Sequence, residues 1–301
     1  LYSRDYYSTE RIQAAANGDW IRPLNKIETQ EKYFVGNIDL VGKFKTGAVA
    51  HHLLTGIDGD KYFTSTYAFN NPTVYDTINT LNPTKFIART DIPSASKITR
   101  LETPINRLGA YVQDLINISN QLKLLVGMRW SIQKGLSATT TYLLKDSVHK
   151  GNATTANAFS PRLGLVYKPF ESMSVFASYS NSFSVNSGTD VSGNALSPSL
   201  IDQFELGMKN NFIKDKLSAN LTFYKIINNN LAQTAQFTAD GITPNNNIAL
   251  KELAGQTTSN GIELDINAQL VKGLNILAGY SFNNMRYTKT KKAKHYLLFN
   301  R

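Results

Sequence analysis

The feature that most constrains this chain is a strict alternation of apolar and polar residues in TSNGIELDINAQLVKGLNILAGY, residues 258–280. The apolar positions are Ile262, Leu264, Ile266, Ala268 and Leu270 before the turn Val271-Lys272-Gly273, and Leu274, Ile276, Ala278, Tyr280 and Phe282 after it. Glu263, Asp265, Asn267 and Gln269 occupy the positions between the first set. Successive side chains of a strand point to opposite faces, so the pattern predicts a β-hairpin with one apolar and one polar face.

The same pattern occurs four more times along the chain. The predicted turns are Lys45-Thr46-Gly47, a turn near Ser119-Asn120, Pro169-Phe170-Glu171-Ser172 and Ile213-Lys214-Asp215-Lys216. With one further strand in Leu1 to Thr9, we predict about 10–12 strands of about 10–14 residues. The linkers between hairpins are long and polar: Lys61 to Ile105, Lys134 to Asn157, Ser184 to Ser199 and Thr234 to Gln256. Short turns at one end and long loops at the other are therefore expected.

Two architectures fit such a meander. In a soluble sandwich the apolar faces pack together, whereas in a transmembrane barrel they meet lipid and the polar faces line the interior. Strands long enough to span a bilayer and the asymmetric loops favour the barrel. Aromatic residues near strand ends also favour it, with Phe44 and Tyr167 near short turns and Tyr62, Trp130, Tyr179, Phe183, Tyr224, Phe282 and Tyr287 near the loops. A soluble β-sheet binding protein is the alternative.

The composition excludes several functional classes. The 301 residues contain no Cys, which rules out disulfides, thiolate metal sites and a Cys nucleophile. The formal charge of +10 is dispersed, with one basic run at Lys289 to Lys294, so no nucleic-acid partner is expected. The chain begins at Leu1 without a signal peptide, and we interpret it as a fragment or a processed piece.

Several segments, taken together and in order, resemble TonB-dependent ferric-siderophore receptors. They are GAYVQDLI (109–116), KTGAVAHHLLTGIDGDKY (45–62), SPRLGLVYKPFESMSVFASYSNSF (160–183), LSPSLIDQFELGMKNNFIKDKLSANLTFYKIINNNL (196–231) and TTSNGIELDINAQLVKGLNILAGYSF (257–282). The resemblance covers about residues 33 to 287, and we interpret the tail 288–301 as divergent. Residues 1–301 are then a single partial barrel domain.

The resemblance implies a 22-stranded outer-membrane barrel with an N-terminal plug, of which this chain is an incomplete, all-β, antiparallel segment without the plug. It implies energy-coupled uptake of a ferric siderophore, contact with outer-membrane lipid and lipopolysaccharide, and coupling to the inner-membrane TonB complex through the plug. It implies no enzyme activity and no cofactor. A passive outer-membrane channel or an adhesin barrel is the alternative within the membrane class.

No catalytic, cofactor-binding or metal-binding residue is assigned, and the ligand-binding residues stay unknown. His51 and His52 are adjacent and point to opposite faces of a strand, so they cannot ligate one metal together. Asp58 with Asp60, and Glu263 with Asp265, are expected to line a hydrated wall rather than to act as acid–base pairs. Gly56-Ile57-Asp58-Gly59 does not follow a phosphate-loop pattern.

Two other sets of residues carry open alternatives. Gly127, Gly164, Gly207 and Gly279 lie on the polar face, where they serve either as plug contacts or as sites of close backbone approach. The loop aromatics Tyr62, Phe63, Tyr67 and Phe69 either stack on a chelator or anchor the loop to its neighbours.

Overall fold

The computed structural model describes residues 2–7, 14–71, 74–87, 89–213, 216–253 and 255–290. Within these residues the regular structure is entirely β, as the alternating pattern predicts. No helix in this part of the chain is long and apolar enough to cross a membrane.

The strands fall into long hairpin strands and short loop strands. The long strands are β3 (Asn25–Thr46), β4 (Val49–Phe69), β6 (Lys97–Asn117), β7 (Leu122–Gly135), β10 (Thr154–Phe170), β11 (Met173–Ser184), β12 (Ser199–Ile213), β13 (Leu217–Asn229), β16 (Gly255–Val271) and β17 (Leu274–Thr290). The short strands are β1 (Tyr2–Tyr7), β2 (Asp19–Arg22), β5 (Asp76–Asn79), β8 (Thr139–Tyr142), β9 (Ser147–Lys150), β14 (Ala232–Thr234) and β15 (Lys251–Leu253).

The main sheet follows the chain as an antiparallel meander. Its order is β1-β3-β4-β6-β7-β10-β11-β12-β13-β16-β17, and β8 and β9 extend it beside β6. The eleven strands on this path confirm the predicted number, including the additional strand near the first residues. β2 with β5, and β14 with β15, form separate two-stranded sheets in the loop regions.

The described residues fall into two compact units. The first unit lies within Leu1–Gly36, Gly59–Arg107 and Gln133–Thr155 and contains the loop sheet β2–β5. The second unit lies within Asn37–Asp58, Leu108–Ile132 and Ala156–Arg301 and contains β11, β12, β13, β16 and β17.

All five predicted hairpins are confirmed, and their turns are short. Two residues connect β3 to β4, β10 to β11, and β16 to β17. Gly47 and Gly273 have φ values of 63° and 89°, which an L side chain rarely adopts. Glycine at these two positions therefore allows the chain to reverse within two residues.

The predicted strand lengths are wrong for most strands, because the ladders continue into segments interpreted as linkers. β3, β4 and β6 have 22, 21 and 21 residues. Their outer parts are rich in Thr, Ser and charged residues and lack the apolar alternation, so the sequence pattern ends before the hydrogen bonding does. Pro169, which we predicted to lie in a turn, belongs to β10, where the register with β11 shifts between Tyr167 and Phe170. A bulge tolerates the missing N–H of proline.

The apolar face is not sealed in a core. Buried apolar side chains among the described residues are restricted to Phe69, Ala156, Ala158 and Ala235. On the apolar face of the second unit, Leu206, Phe223 and Phe282 keep 55%, 49% and 53% of their surface exposed. Glu263 and Asp265 on the polar face are also exposed. A sandwich would bury the first set, so this sheet needs a different apolar environment.

Candidate functional site

The polar face of the second unit forms an ordered array of side chains. Cross-strand pairs on β12, β13 and β16 include Lys209 with Asn220, Asn220 with Asp265, and Thr222 with Glu263. All of these positions lie on one face because the register is continuous across the three strands. Glu263 and Asp265 are thus exposed members of one polar face; that this face is a hydrated wall stays a prediction.

Asp58 is held by an arginine from another strand. Arg129 on β7 donates from Nη1 and Nη2 to the two Asp58 carboxylate oxygens at 2.6 and 2.7 Å. Its guanidinium lies 5.5 Å from the centre of the Tyr111 ring and occupies the space that a side chain at Gly109 would fill. Both Asp58 oxygens are therefore engaged in a bidentate pair, which fixes the wall rather than providing a general base.

Asp60 has its own basic partner within the first unit. Arg107 donates from Nη1 to Asp60 at 3.1 Å and from Nε to Gln133 at 3.0 Å. The interpretation of Asp60 as part of a polar wall therefore agrees with its contacts.

Of the four polar-face glycines singled out in the sequence, Gly207 makes room for a side chain of a neighbouring strand, whereas a Cβ at Gly127, Gly164 or Gly279 would meet its nearest atom only at 3.4, 3.4 or 3.6 Å. A Cβ at Gly207 would lie 2.5 Å from Phe176 Cε1 and 2.9 Å from the Leu221 carbonyl oxygen. Gly261 is covered in the same way by the ring of Tyr224. The contacts at Gly207 support close approach, one of the two alternatives left open. The contact at Gly261 corrects the prediction that Tyr224 belongs to an aromatic girdle. Tyr224 lies on the polar face against Gly261, whereas a girdle would lie on the apolar face.

His51 contacts an aspartate and a phenylalanine. Its Nδ1 lies 2.6 Å from Asp114 Oδ2, and its ring stacks on Phe44 with the ring centres 4.7 Å apart. In the described part of the chain, no three His, Asp or Glu side chains come close enough together to hold a metal ion.

The aromatic residues that we predicted to lie in a loop belong to β4 instead, and they contact neighbouring strands of the first unit. Tyr62 donates its hydroxyl to Glu31 at 2.9 Å and packs edge-on against Tyr33. Lys97 Nζ lies 3.7 Å from the centre of the Tyr67 ring. Phe69 is buried. These contacts agree with the anchoring alternative for Tyr62, Tyr67 and Phe69, although the segment that they join is a strand and not a loop.

The two-stranded sheet of β2 and β5 gives a fixed structure to part of the long loop between β4 and β6. Arg22 forms an ion pair with Asp76, whose side chain is only 3% exposed. The hydrogen bonds from Arg22 hold the pKa of Asp76 below its usual range. Asn79, which is buried, donates to the Asn17 carbonyl at 2.9 Å and to Asp19 Oδ1 at 2.7 Å, and the second bond joins β5 to β2.

Two long loops of the second unit are also joined by polar contacts. Buried Ser199 donates to the Asn230 carbonyl at 2.9 Å and to Asn186 Oδ1 at 3.1 Å. Asn186 donates to the Asn230 carbonyl at 3.0 Å, and Lys251 N–H donates to the Thr189 carbonyl at 2.7 Å. The loop that follows β11 and the loop that follows β13 therefore form one ordered surface.

Sequence reasoning missed the basic partners of this site. Arg129, Arg107 and Arg22 were not singled out, because their carboxylates lie 71, 47 and 54 residues away in sequence. The sequence signal that could have indicated these ion pairs is the presence of Arg or Lys on the same strand face as an isolated carboxylate.

Comparison with known proteins agrees with this fold. The family model described as "TonB dependent receptor-like, beta-barrel" matches residues 1–299. The metal-pseudopaline receptor CntO of Pseudomonas aeruginosa is 25% identical over 294 residues, which cover 95% of this chain and 39% of the relative. The chain thus spans about two fifths of that protein.

Two solved structures share the fold. The ferric preacinetobactin receptor BauA of Acinetobacter baumannii matches with a TM-score of 0.77 and 16% identity, covering 96% of this chain and 42% of that chain. The Pseudomonas aeruginosa ferripyoverdine receptor bound to ferripyoverdine matches with a TM-score of 0.70 and 22% identity, covering 97% and 38%. Members of this family are outer-membrane β-barrel proteins. The chain belongs to the TonB-dependent receptor-like β-barrel family.

Proposed function

We propose that this protein takes up ferric siderophores across the outer membrane in an energy-coupled manner, with the described residues forming part of its barrel. The observation that carries the proposal is the family match over residues 1–299. The names of the similar proteins refer to metal-pseudopaline, ferric preacinetobactin and ferripyoverdine, all of which are metal chelates. The iron chelate is the cargo, and no catalysed reaction is proposed.

The structure supports this function through its division into a lipid-facing band, a polar wall and ordered loops. The long loops are held by buried polar contacts such as those of Ser199 and Asp76, so they present defined surfaces at one end of the strands. Ordered loops on a rigid sheet are the usual place for ligand recognition. We further propose that coupling to the TonB complex occurs through a plug, and that lipid and lipopolysaccharide contact the apolar face.

Uptake of radioactive iron tests the proposal. The protein is expressed in a bacterial strain that lacks its own siderophore receptors, and cells are supplied with ⁵⁵Fe complexes of a pyoverdine, a catecholate and a hydroxamate. We expect saturable uptake of at least one complex that stops when a protonophore collapses the proton-motive force. Uptake that persists with the protonophore would instead indicate the passive-channel alternative.

A matched pair of variants tests whether the joined loops recognise the chelate. Ser199→Ala removes hydroxyl contacts from the joined loops, whereas Ser172→Ala alters an exposed residue in a short turn at the opposite strand ends. We expect Ser199→Ala to raise the chelate concentration needed for half-maximal uptake and Ser172→Ala to leave it unchanged. Equal uptake curves for both variants would argue against recognition by these loops.

A further inference from the structure

A shallow groove interrupts the apolar face of the second unit. It has a volume of about 450 Å³ and lies across β3, β4, β6 and β7. Two small side chains, Thr55 and Ala110, are half-buried in it. Larger apolar side chains surround them, among them Ile38, Ile57 and Met128, which keep 71%, 53% and 44% of their surface exposed. The groove is therefore a depression between larger apolar residues of one sheet.

Neighbouring contacts fix the face to which the groove belongs. Arg129 pairs with Asp58 on the polar face, and the Tyr111 hydroxyl donates to Asp39 on that same face. The residues that surround the groove are immediate sequence neighbours of these polar-face residues, so their side chains point to the opposite, apolar face. The four strands are consecutive in the main sheet, and none of them is its edge. The groove thus opens outward and is bounded on all sides by this chain.

The groove offers no polar group to a ligand. Thr55 already donates its hydroxyl to the Tyr111 carbonyl at 2.9 Å. Among the described residues, no charged side chain lines the groove. A polar molecule would lose its hydration here without gaining a hydrogen bond, so the ligand has to be apolar.

A polar and aromatic cluster on the same face gives the depth of the groove. His51 lies 2.6 Å from Asp114 and stacks on Phe44 beside the short turn, as expected for side chains at a lipid–water boundary. Thr55 and Ile57 follow His51 on β4 by four and six residues on the same face. At about 3.4 Å per residue and a strand tilt of about 40°, they lie about 10 to 16 Å from that boundary. An outward apolar band is about 25 Å tall, so the groove is at mid-depth.

Depth and shape favour a lipid chain over another protein. A second copy related by a two-fold axis would present the same depression and would leave the void unfilled. An unfilled void loses dispersion contacts, whereas a flexible chain can follow its outline. A water-sized group occupies about 30 Å³, so the groove holds roughly 15 groups of that size, which is comparable to the methylene groups of one acyl chain.

We infer that this groove binds one acyl chain of a phospholipid from the inner leaflet of the outer membrane. Short turns of such barrels are periplasmic, so the cluster at His51 lies on the inner-leaflet side. Leu53, between His51 and Thr55 on the same face, continues the apolar path from the headgroup level to the groove. The identification rests on the proposed contact of the apolar face with lipid.

Native mass spectrometry of the detergent-purified protein, titrated with palmitoyl-oleoyl-phosphatidylethanolamine, tests the site. Ala110→Phe fills the groove. Ala278→Phe is the control, because Ala278 is an exposed residue of the apolar face on β17, opposite Ile266 and outside the groove. We expect one phospholipid on the unmodified protein, at least tenfold weaker binding for Ala110→Phe, and less than twofold change for Ala278→Phe.

A second variant keeps the test decisive if Ala110→Phe fails to fold. The 301 residues contain no Cys, so Ala110→Cys introduces a single thiol of nearly native size into them. After folding, benzyl methanethiosulfonate attaches a benzylthio group to that thiol through a disulfide. We expect phospholipid binding before this reaction and at least tenfold weaker binding after it, whereas Ala278→Cys treated in the same way should keep its binding.

Three results would overturn the site. They are phospholipid binding that neither filled variant weakens, tighter binding of lipid A than of phosphatidylethanolamine at the groove, and a dimer in the spectra that Ala110→Phe dissociates. The transport proposal fails separately. If the groove binds phospholipid but cells take up no ⁵⁵Fe chelate, the site stands and the transport function is wrong, and the reverse pair of results leaves the transport function without the site.

Discussion

Ile266 lies at the centre of the apolar band of β16 and β17, the face that we propose contacts the membrane. On β17 this band runs from Leu274 to Phe282, and Ile266 pairs with Ala278, the middle residue of that run. The next apolar-face row beyond the band contains Asn260, which pairs with Asn284 and with Lys225. The band therefore matches the 9–11 residues that a tilted strand needs to span a bilayer.

Replacing Ile266 by Arg should destabilise the folded protein in lipid strongly. An Arg on the lipid face costs about 2–4 kcal/mol at the bilayer midplane and about 0–1 kcal/mol near the interface. At about 1.4 kcal/mol per tenfold change, Ile266→Arg should lower the folding equilibrium constant by about 30- to 700-fold. Asn260→Arg should lower it by less than about tenfold, because Asn260 lies in the polar boundary row.

Denaturant titration in lipid vesicles measures these values, with folded protein detected by its heat-dependent mobility on gels. Asn267→Arg is the matched control, since Asn267 is adjacent in sequence but lies on the polar face opposite Leu277 and Ser218. We expect this variant to stay close to the unmodified protein. A cost at Asn267 equal to or larger than that at Ile266 would refute the assignment of the two faces.

Three further predictions follow from local contacts. Gly207→Val should lower the free energy of unfolding by about 1–3 kcal/mol in the same titration, because the added Cβ would lie 2.5 Å from a ring atom of Phe176. Gly36→Val is the control and should cost little, since no atom lies within 4 Å of its Cβ position. Equal costs for the two variants would contradict the packing role of Gly207. Asp76→Asn should lower the local stability of the β2–β5 sheet by about 1–3 kcal/mol, measured by hydrogen exchange of the β5 amides, while Asp91→Asn in an exposed pair should have little effect. Because Arg22 lowers the pKa of Asp76, the contribution of this pair is complete above a pH of about 4 and is lost as the pH falls through the lowered pKa. Protection factors of the β5 amides, corrected for the intrinsic pH dependence of exchange, that do not fall on acidification would contradict this.

The sequence predicts the hairpins well because each of them is a local pattern. The alternation from Ile262 to Phe282 specifies two faces, and a turn such as Lys272-Gly273 marks where the chain reverses. The outer parts of β3 and β6 were missed because polar residues occur on both of their faces, so no period of two distinguishes a paired strand from a linker. The short loop strands were missed for the same reason. The outer part of β4 was assigned to a loop despite its aromatic residues.

The polar contacts of the candidate site depend on register, which the alternation does not determine between hairpins. Asp58 could be singled out as a carboxylate on the polar face, but its partner Arg129 belongs to a strand that follows a long loop. Pairing between distant strands is the information that the single sequence lacks.

The bonds that join Ser199, Asn186 and Asn230 bear on how a ligand would be selected. A surface made of two segments that are already held together loses little conformational entropy when a ligand binds. Selectivity among ligands then depends on how well each ligand complements a preformed binding surface. A substitution in one of the two loops should consequently alter ligand recognition by the other loop, even where the substituted residue does not contact the ligand.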